Sequence, residues 1–140
     1  MPVQMTLARI VLNEIANRNL IFLREVDGDR QFAIEIGMCE AKSIDQRVKK
    51  QHKMLSPPRP LTHDLIVNAI ADLGGKLEAV AITDLRSDTY YALLRVRQGD
   101  EIVEIDSRPS DAVAIAVTCT PPLPIYVAEK VVEAACRENE

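Results

Sequence analysis

The chain has 140 residues, of which 47% are hydrophobic and 27% charged, and its formal net charge at pH 7 is −4. This length suits one domain with its own core, and the composition excludes an intrinsically disordered chain. The chain has only three cysteines, and their spacing is not that of metal ligands. This excludes a small disulfide-stabilised secreted domain and favours a reducing compartment. No apolar stretch is long enough to span a membrane, and residues 1–14 lack the pattern of a signal peptide, so we expect a cytoplasmic protein without a membrane partner.

The acidic balance argues against a protein that coats nucleic acid through bulk electrostatics. Neutralised phosphates supply much of the affinity of such proteins, which are usually basic. The one basic run, residues 47–53, is either the solvated end of a helix or a patch that follows phosphates. An enzyme with a local site is compatible with this charge.

The first half of the chain predicts three strands followed by two helices. Asp27 and Gly28 form a turn between the second and third strands, because Asp-Gly supplies the positive φ of a hairpin. Phe32, Ile34 and Ile36 alternate with other residues, which indicates a strand with one apolar face. The predicted elements are strands over residues 7–15, 20–26 and 32–36 and helices over residues 39–50 and 64–73.

The second half repeats this order and adds a short segment before its last helix. Its predicted elements are strands over residues 77–85, 89–97 and 101–106, helices over residues 109–118 and 131–136, and the short segment 124–127. Hairpins followed by helices favour an α+β fold, in which antiparallel or mixed sheets are covered by helices. We predict a single domain over residues 1–140.

The two halves also resemble each other in sequence. Residues 6–44 align without a gap on residues 77–115, which places the turn glycine Gly28 on Gly99. The alternative is that two similar segments look alike by pattern alone. We predict an internal duplication of a βββαα-like unit, with pseudo-repeats at about residues 5–75 and 76–138.

Reactive side chains cluster in the short stretches that lead into helices, which we call joints. The first joint comprises residues 59–64. Thr62 is placed as a helix N-cap and Asp64 in the first turn, so capping explains both without a function. His63 and Arg59 are left unexplained by capping. A histidine beside an aspartate can act as a general acid or base near neutral pH, or bind a metal.

The second such joint precedes the helix that begins at Pro109. Proline suits the first helical position, which makes Arg108 the N-cap and puts Asp111 in the first turn. A guanidinium beside helix N–H groups offers a phosphate site. The alternative is that Arg108 pairs with Asp106 or Asp111 and only fixes the joint.

A third candidate is Asp84, at the end of an apolar strand. Together with Asp106 or Asp111 it offers carboxylate oxygens to a hard cation such as Mg²⁺, which could activate water for phosphodiester hydrolysis. The alternative is that Asp84 is an ordinary turn former. Composition and spacing alone lead no further than a cytoplasmic α+β domain with polar joints.

These joints resemble the signature blocks of the bifunctional nuclease family. The matching stretches are PPRPLTHDL from residue 57, AITDL from residue 81 with YYA from residue 90, and EIDSRPSDAVAIA from residue 104. They follow in family order, and the resemblance extends from about residue 6 to residue 132. It implies an α+β domain that self-associates and an activity that degrades RNA and DNA.

The leading hypothesis is therefore a nuclease that hydrolyses phosphodiester bonds with possible assistance from Mg²⁺ or Mn²⁺. The alternative is a non-catalytic oligomeric domain that binds an anion, a nucleotide or a protein. In either case we expect a homo-oligomer, most simply a dimer. For the nuclease we predict four catalytic residues, which are His63, Asp64, Asp106 and Asp111. The predicted substrate-binding residues are Arg59, Thr62 and Arg108. The predicted metal ligands are Asp84, Asp106 and Asp111.

Overall fold

The computed structural model describes residues 2–13, 15–16, 18–53 and 59–138, with the backbone alone for residues 47–53 and 138. The first half contains β1 (Val3–Asn13), β2 (Arg18–Glu25), β3 (Gln31–Ile36), α1 (Met38–Lys53) and α2 (Thr62–Asp72). The second half contains β4 (Lys76–Arg86), β5 (Thr89–Gln98), β6 (Glu101–Ser107), α3 (Pro109–Thr118), β7 (Ile125–Val127) and α4 (Glu129–Glu138).

All predicted strands and helices are present, with ends displaced by a few residues, and the α+β class is confirmed. The backbone of the basic run 47–53 belongs to the end of α1, and its side chains lie outside the described part. None of the described helices is long and apolar enough to cross a membrane.

The strands form one mixed sheet in the order β3-β2-β1-β7-β4-β5-β6. Within each half, three strands pair antiparallel as a meander. The short β7 joins the two meanders, since it pairs antiparallel with β1 and parallel with β4. The two halves thus have similar element orders, while their origin by duplication stays a prediction.

The sheet is curved, because residues far apart in its strand order meet. Phe32 of β3 stacks on Tyr90 of β5 with ring centroids 5.9 Å apart, although four strands lie between β3 and β5. On β3, Phe32, Ile34 and Ile36 are buried while Gln31 and Glu35 are exposed, which confirms the predicted single apolar face.

The central helix α3 brings the helix starts together. An unbroken run of small or β-branched side chains from Ala112 to Ala116 is at most 2% exposed. Alanine at three of these five positions allows close approach, and α3 contacts α1, α2, β4 and β5. The N-terminus of α3 consequently lies beside α1 and α2.

Arg30 connects the turn after β2 to the last helix. Its Nη1 donates to Glu129 at 2.7 Å, and its Nε donates to Glu25. The hydrogen bonds from Arg30 hold the pKa of both carboxyls below their ordinary value of 4.5. The bonds to Glu129 and Glu25 in turn raise the pKa of Arg30.

This cluster predicts a specific acid sensitivity. A carboxyl whose pKa falls on folding stabilises the native state above its unfolded-state pKa, and this contribution disappears as pH falls through the folded-state pKa. We expect the wild-type melting temperature to fall more steeply than that of Arg30→Gln below the ordinary carboxyl pKa of 4.5. Arg24→Gln, which removes an exposed pair with Asp29, should follow the wild type. Parallel curves for wild type and Arg30→Gln would contradict this account.

Candidate active site

The start of α2 is capped from within the helix. Leu61, in an extended conformation, is the N-cap, and its backbone N–H donates to Asp64 Oδ2 at 2.9 Å. The prediction that Thr62 is the N-cap is therefore wrong, because helical geometry already begins at Thr62. Asp64 is buried and lies in the first turn, so it has the structural role that capping assigns to it.

The start of α3 matches its prediction. Arg108 is the N-cap in an extended conformation, Pro109 opens the helix, and Asp111 lies in the first turn. Arg108 Nε donates to Asp111 Oδ2 at 2.9 Å, so the predicted Arg108–Asp111 pair is present. Its side chain is nevertheless 65% exposed, which leaves the guanidinium accessible from the solvent.

Glu40 of α1 is the second partner of Arg108. The Nη2 atom of Arg108 donates to Glu40 Oε1 at 2.7 Å. The hydrogen bond with Glu40, followed by that with Asp111, raises the pKa of Arg108 above its ordinary value. Arg108 is therefore a fixed positive charge that two carboxylates orient.

His63 is buried, at 6% exposure, and both of its ring nitrogens have partners. Nε2 lies 2.9 Å from Asp111 Oδ1, and Nδ1 lies 2.9 Å from the hydroxyl oxygen of Ser43. An ionised carboxylate only accepts hydrogen bonds, so Nε2 carries the hydrogen in the neutral ring and Nδ1 accepts from Ser43. The basic nitrogen of His63 thus faces Ser43.

A continuous series of contacts results, which we call the helix-start cluster. It contains Glu40 and Ser43 from α1, His63 from α2, and Arg108 and Asp111 from the start of α3. Sequence reasoning predicted the last three and missed the first two. A partial signal was available, because Glu40 lies in the first turn of α1 and Ser43 lies three residues later on the same helix face.

The cluster lies along a cleft of about 870 Å³. The cleft is also lined by apolar or aromatic side chains, namely Ile66, Tyr90, Leu94 and Ile105. The predicted site residues that line this cleft are Thr62, His63, Asp106, Arg108 and Asp111.

Asp106 differs from the cluster in its contacts. It is exposed, and among the described residues no hydrogen bond or ion pair links it to His63 or Arg108. Strand alternation puts Asp106 on the face of β6 opposite to its neighbour Ile105.

Three predicted residues do not line the cleft: Arg59, Asp64 and Asp84. Arg59 is exposed in the segment before α2. Asp84 pairs with Arg86 Nε at 2.9 Å and with Lys130 Nζ at 3.6 Å. The structure therefore does not bring Asp84 into the helix-start cluster.

The predicted cation ligands are accordingly dispersed. Both carboxylate oxygens of Asp111 already accept hydrogen bonds from His63 and Arg108, while Asp84 has partners elsewhere. Across the described ranges, no group of three or more His, Cys, Asp or Glu side chains has the arrangement to hold a metal ion. These residues do not fit a bound cation as they stand, and metal assistance stays a prediction.

Most of the chain is similar in sequence to known proteins. Residues 21–140 match the model of the bifunctional nuclease domain. An uncharacterized protein of Mycobacterium tuberculosis is 44% identical over 119 residues, which cover 85% of this chain and 67% of the relative. Bifunctional nuclease 1 of Oryza sativa is 26% identical over 117 residues, covering 81% of this chain but 34% of the relative. The chain belongs to the bifunctional nuclease domain family.

Proposed function

We propose that the chain is a nuclease that hydrolyses phosphodiester bonds of RNA, DNA or both. The observation that carries this proposal is the unbroken series of contacts among Ser43, His63, Asp111 and Arg108, all of which line one cleft. It combines an oriented base with an accessible cation suited to phosphate. Family membership and the rice relatives named as bifunctional nucleases support the same activity.

His63 is the general base in this proposal, and Asp111 orients it. Asp111 fixes the ring through Nε2 and stabilises the imidazolium that forms when Nδ1 gains a proton, the role of the aspartate in a serine–histidine–aspartate triad. His63 and Ser43 are both buried and both line the cleft, and the hydroxyl of Ser43 occupies the position next to Nδ1, so in this proposal Nδ1 acts through that hydroxyl. A hydroxyl can donate and accept, so Ser43 passes a proton without losing its bond to the ring.

The reaction then balances as a direct hydrolysis. A water in the cleft gives a proton to Ser43 Oγ while the hydroxyl proton of Ser43 moves to His63 Nδ1. The hydroxide formed attacks phosphorus, and the bond from phosphorus to the leaving oxygen breaks. The imidazolium returns its proton to the leaving oxygen by the same route, while Arg108 stabilises the phosphate charge.

The remaining predicted residues enter as proposals. Thr62 and Asp106 line the cleft, and their contact with substrate is part of the proposal, whereas Arg59 is exposed outside the cleft. The predicted Mg²⁺ or Mn²⁺ dependence is tested by assaying cleavage in EDTA and after adding back either ion. Recovery by the ion, together with a rise in melting temperature, would support a metal-assisted reaction.

The proposal is tested by cleavage assays on Asp111→Asn and Asp106→Asn, purified in parallel with wild type. We expect the cleavage rate of Asp111→Asn to be about 10²–10⁴-fold lower than that of wild type, because the imidazolium loses its counter-charge. Equal loss in Asp106→Asn would place Asp106 in the reaction as well. Wild-type activity in Asp111→Asn would identify a contaminating nuclease and remove the proposed mechanism.

Ser43→Ala tests whether Ser43 passes a proton or attacks phosphorus itself. We expect a loss of at most about tenfold, because a water can replace the hydroxyl next to Nδ1. Thr118→Ala is a matched control, since that hydroxyl donates to the backbone carbonyl of Ala114 within α3. Covalent catalysis by Ser43 would be indicated instead if Ser43→Ala lost as much cleavage activity as Asp111→Asn and a phosphoserine could be trapped on the wild-type protein.

A second candidate is a non-catalytic domain that binds an anion, a nucleotide or a protein. The hydrogen bonds that already engage both nitrogens of His63 and both oxygens of Asp111 favour it. Self-association in the cytoplasm is part of both proposals, and exposed apolar side chains such as Leu65 and Leu73 support it. Light scattering during size-exclusion chromatography measures the oligomeric state directly.

A further inference from the structure

The lining of the cleft combines two chemically different kinds of side chain. Charged and polar side chains of the helix-start cluster line it together with the apolar or aromatic side chains of Ile66, Tyr90, Leu94 and Ile105. Ile105 is 40% exposed, so apolar surface lies open to solvent beside a charged site. A ligand that fits both kinds of side chain carries an anionic group and a flat apolar group.

The charges of the cleft do not suit a row of phosphates. Its lining includes the cations Lys42 and Arg108 against three carboxylates, Glu40, Asp106 and Asp111. Proteins that follow a nucleic-acid backbone instead present a positive groove along several phosphates. The guanidinium of Arg108 is therefore the natural contact for a single phosphate in this cleft.

The size and shape of the cleft agree with this charge. A volume of about 870 Å³ lies in the range of small-ligand sites, roughly 300–1,000 Å³. In a duplex, both faces of a base are covered by its neighbours, so the base reaches an apolar wall only after unstacking. An unpaired nucleotide presents its base face without that cost.

We propose that the cleft binds a single unpaired nucleotide, with its phosphate at Arg108 and its base against the exposed apolar side chain of Ile105. This rests on the proposed function and names its substrate class as single-stranded ends or short oligonucleotides. Strand β6 provides a matched pair of variants, since Ile105, at 40% exposure, lines the cleft and Ile102, at 45% exposure, does not.

The first experiment measures equilibrium binding of thymidine 5′-monophosphate and of deoxyribose 5-phosphate, which lacks the base. We expect Ile105→Ala to bind the nucleotide about fivefold more weakly and the sugar phosphate unchanged, because only the base contacts Ile105. Ile102→Ala should match wild type on both ligands, and Arg108→Ala should weaken both. Equal affinities of Ile105→Ala and Ile102→Ala for the nucleotide would overturn the assignment of the base.

The second experiment measures binding of labelled single strands of two, six and twenty nucleotides, and of the twenty-nucleotide duplex, at several salt concentrations. For one neutralised phosphate we expect a slope of log K against log salt of about −0.7 at every length. The duplex should bind at least about tenfold more weakly, since a base must leave its stack. A slope that steepens with length would overturn the inference and indicate tracking along the basic run 47–53.

Cleavage of the same strands, measured separately, distinguishes this inference from the proposed function. Length-independent binding without cleavage would contradict the proposed nuclease activity and support a nucleotide-binding cleft. Cleavage without mononucleotide binding would support the nuclease activity and contradict the single-nucleotide cleft.

Discussion

Replacing His63 by Asn is expected to lower the rate of phosphodiester cleavage by about 10²–10⁴. Asparagine is polar and smaller, so it can bond Ser43 or Asp111, but it cannot take up the proton of the attacking water. The other histidine, His52, supplies the control His52→Asn, which should cleave at the wild-type rate. Rates are measured under single-turnover conditions to separate chemistry from binding.

Burial of His63 requires a check that the variant folds. Melting temperature and circular dichroism of His63→Asn should show a native fold, with some loss of stability because a buried side chain is altered. A folded variant with wild-type cleavage would contradict the assignment of His63 as the base.

Replacing Arg108 has the second large expected effect. We expect Arg108→Ala to lose about 10²–10³ in kcat/KM, the usual cost of removing one preorganised group that stabilises transition-state charge. Arg108→Lys should recover part of this loss but not all, because an ammonium cannot reproduce the planar fork that contacts Glu40 and Asp111 together. Arg97→Lys, which alters a comparable pair with Glu78 outside the cleft, is the matched control.

Loss of Arg108 also leaves Glu40 and Asp111 without their shared cation, and the resulting repulsion lowers stability. Adding Glu40→Gln to Arg108→Ala should therefore restore melting temperature without restoring cleavage. Recovery of both properties together would show that Arg108 is only a structural link between α1 and α3.

Local signals in the sequence were sufficient for most elements of the fold. Pro109 marks the start of α3, and the alternation around Ile34 marks the buried face of β3, because both depend on neighbouring residues. The position of β7 between the two meanders was not predictable in this way. Three residues, Ile125–Val127, join strands from opposite halves, and only long-range packing decides that pairing.

The candidate site was predictable only in part, for the same reason. Arg108 and Asp111 are three residues apart at one helix start, so their pairing follows from the sequence. Glu40 lies 68 positions from Arg108, and nothing in its local sequence distinguishes it from an ordinary first-turn acidic residue. Asp84 was grouped with the other carboxylates by residue type, whereas its strand position gives it Arg86 and Lys130 as partners.

The most direct test of the account compares cleavage of one short single strand by wild type, His63→Asn, Asp111→Asn and the double variant. If Asp111 acts by orienting His63, the double variant should be no slower than the His63 variant alone, since residues that act as a unit show non-additive losses. Losses that multiply in the double variant, or rates that do not change in any of the three, would contradict it.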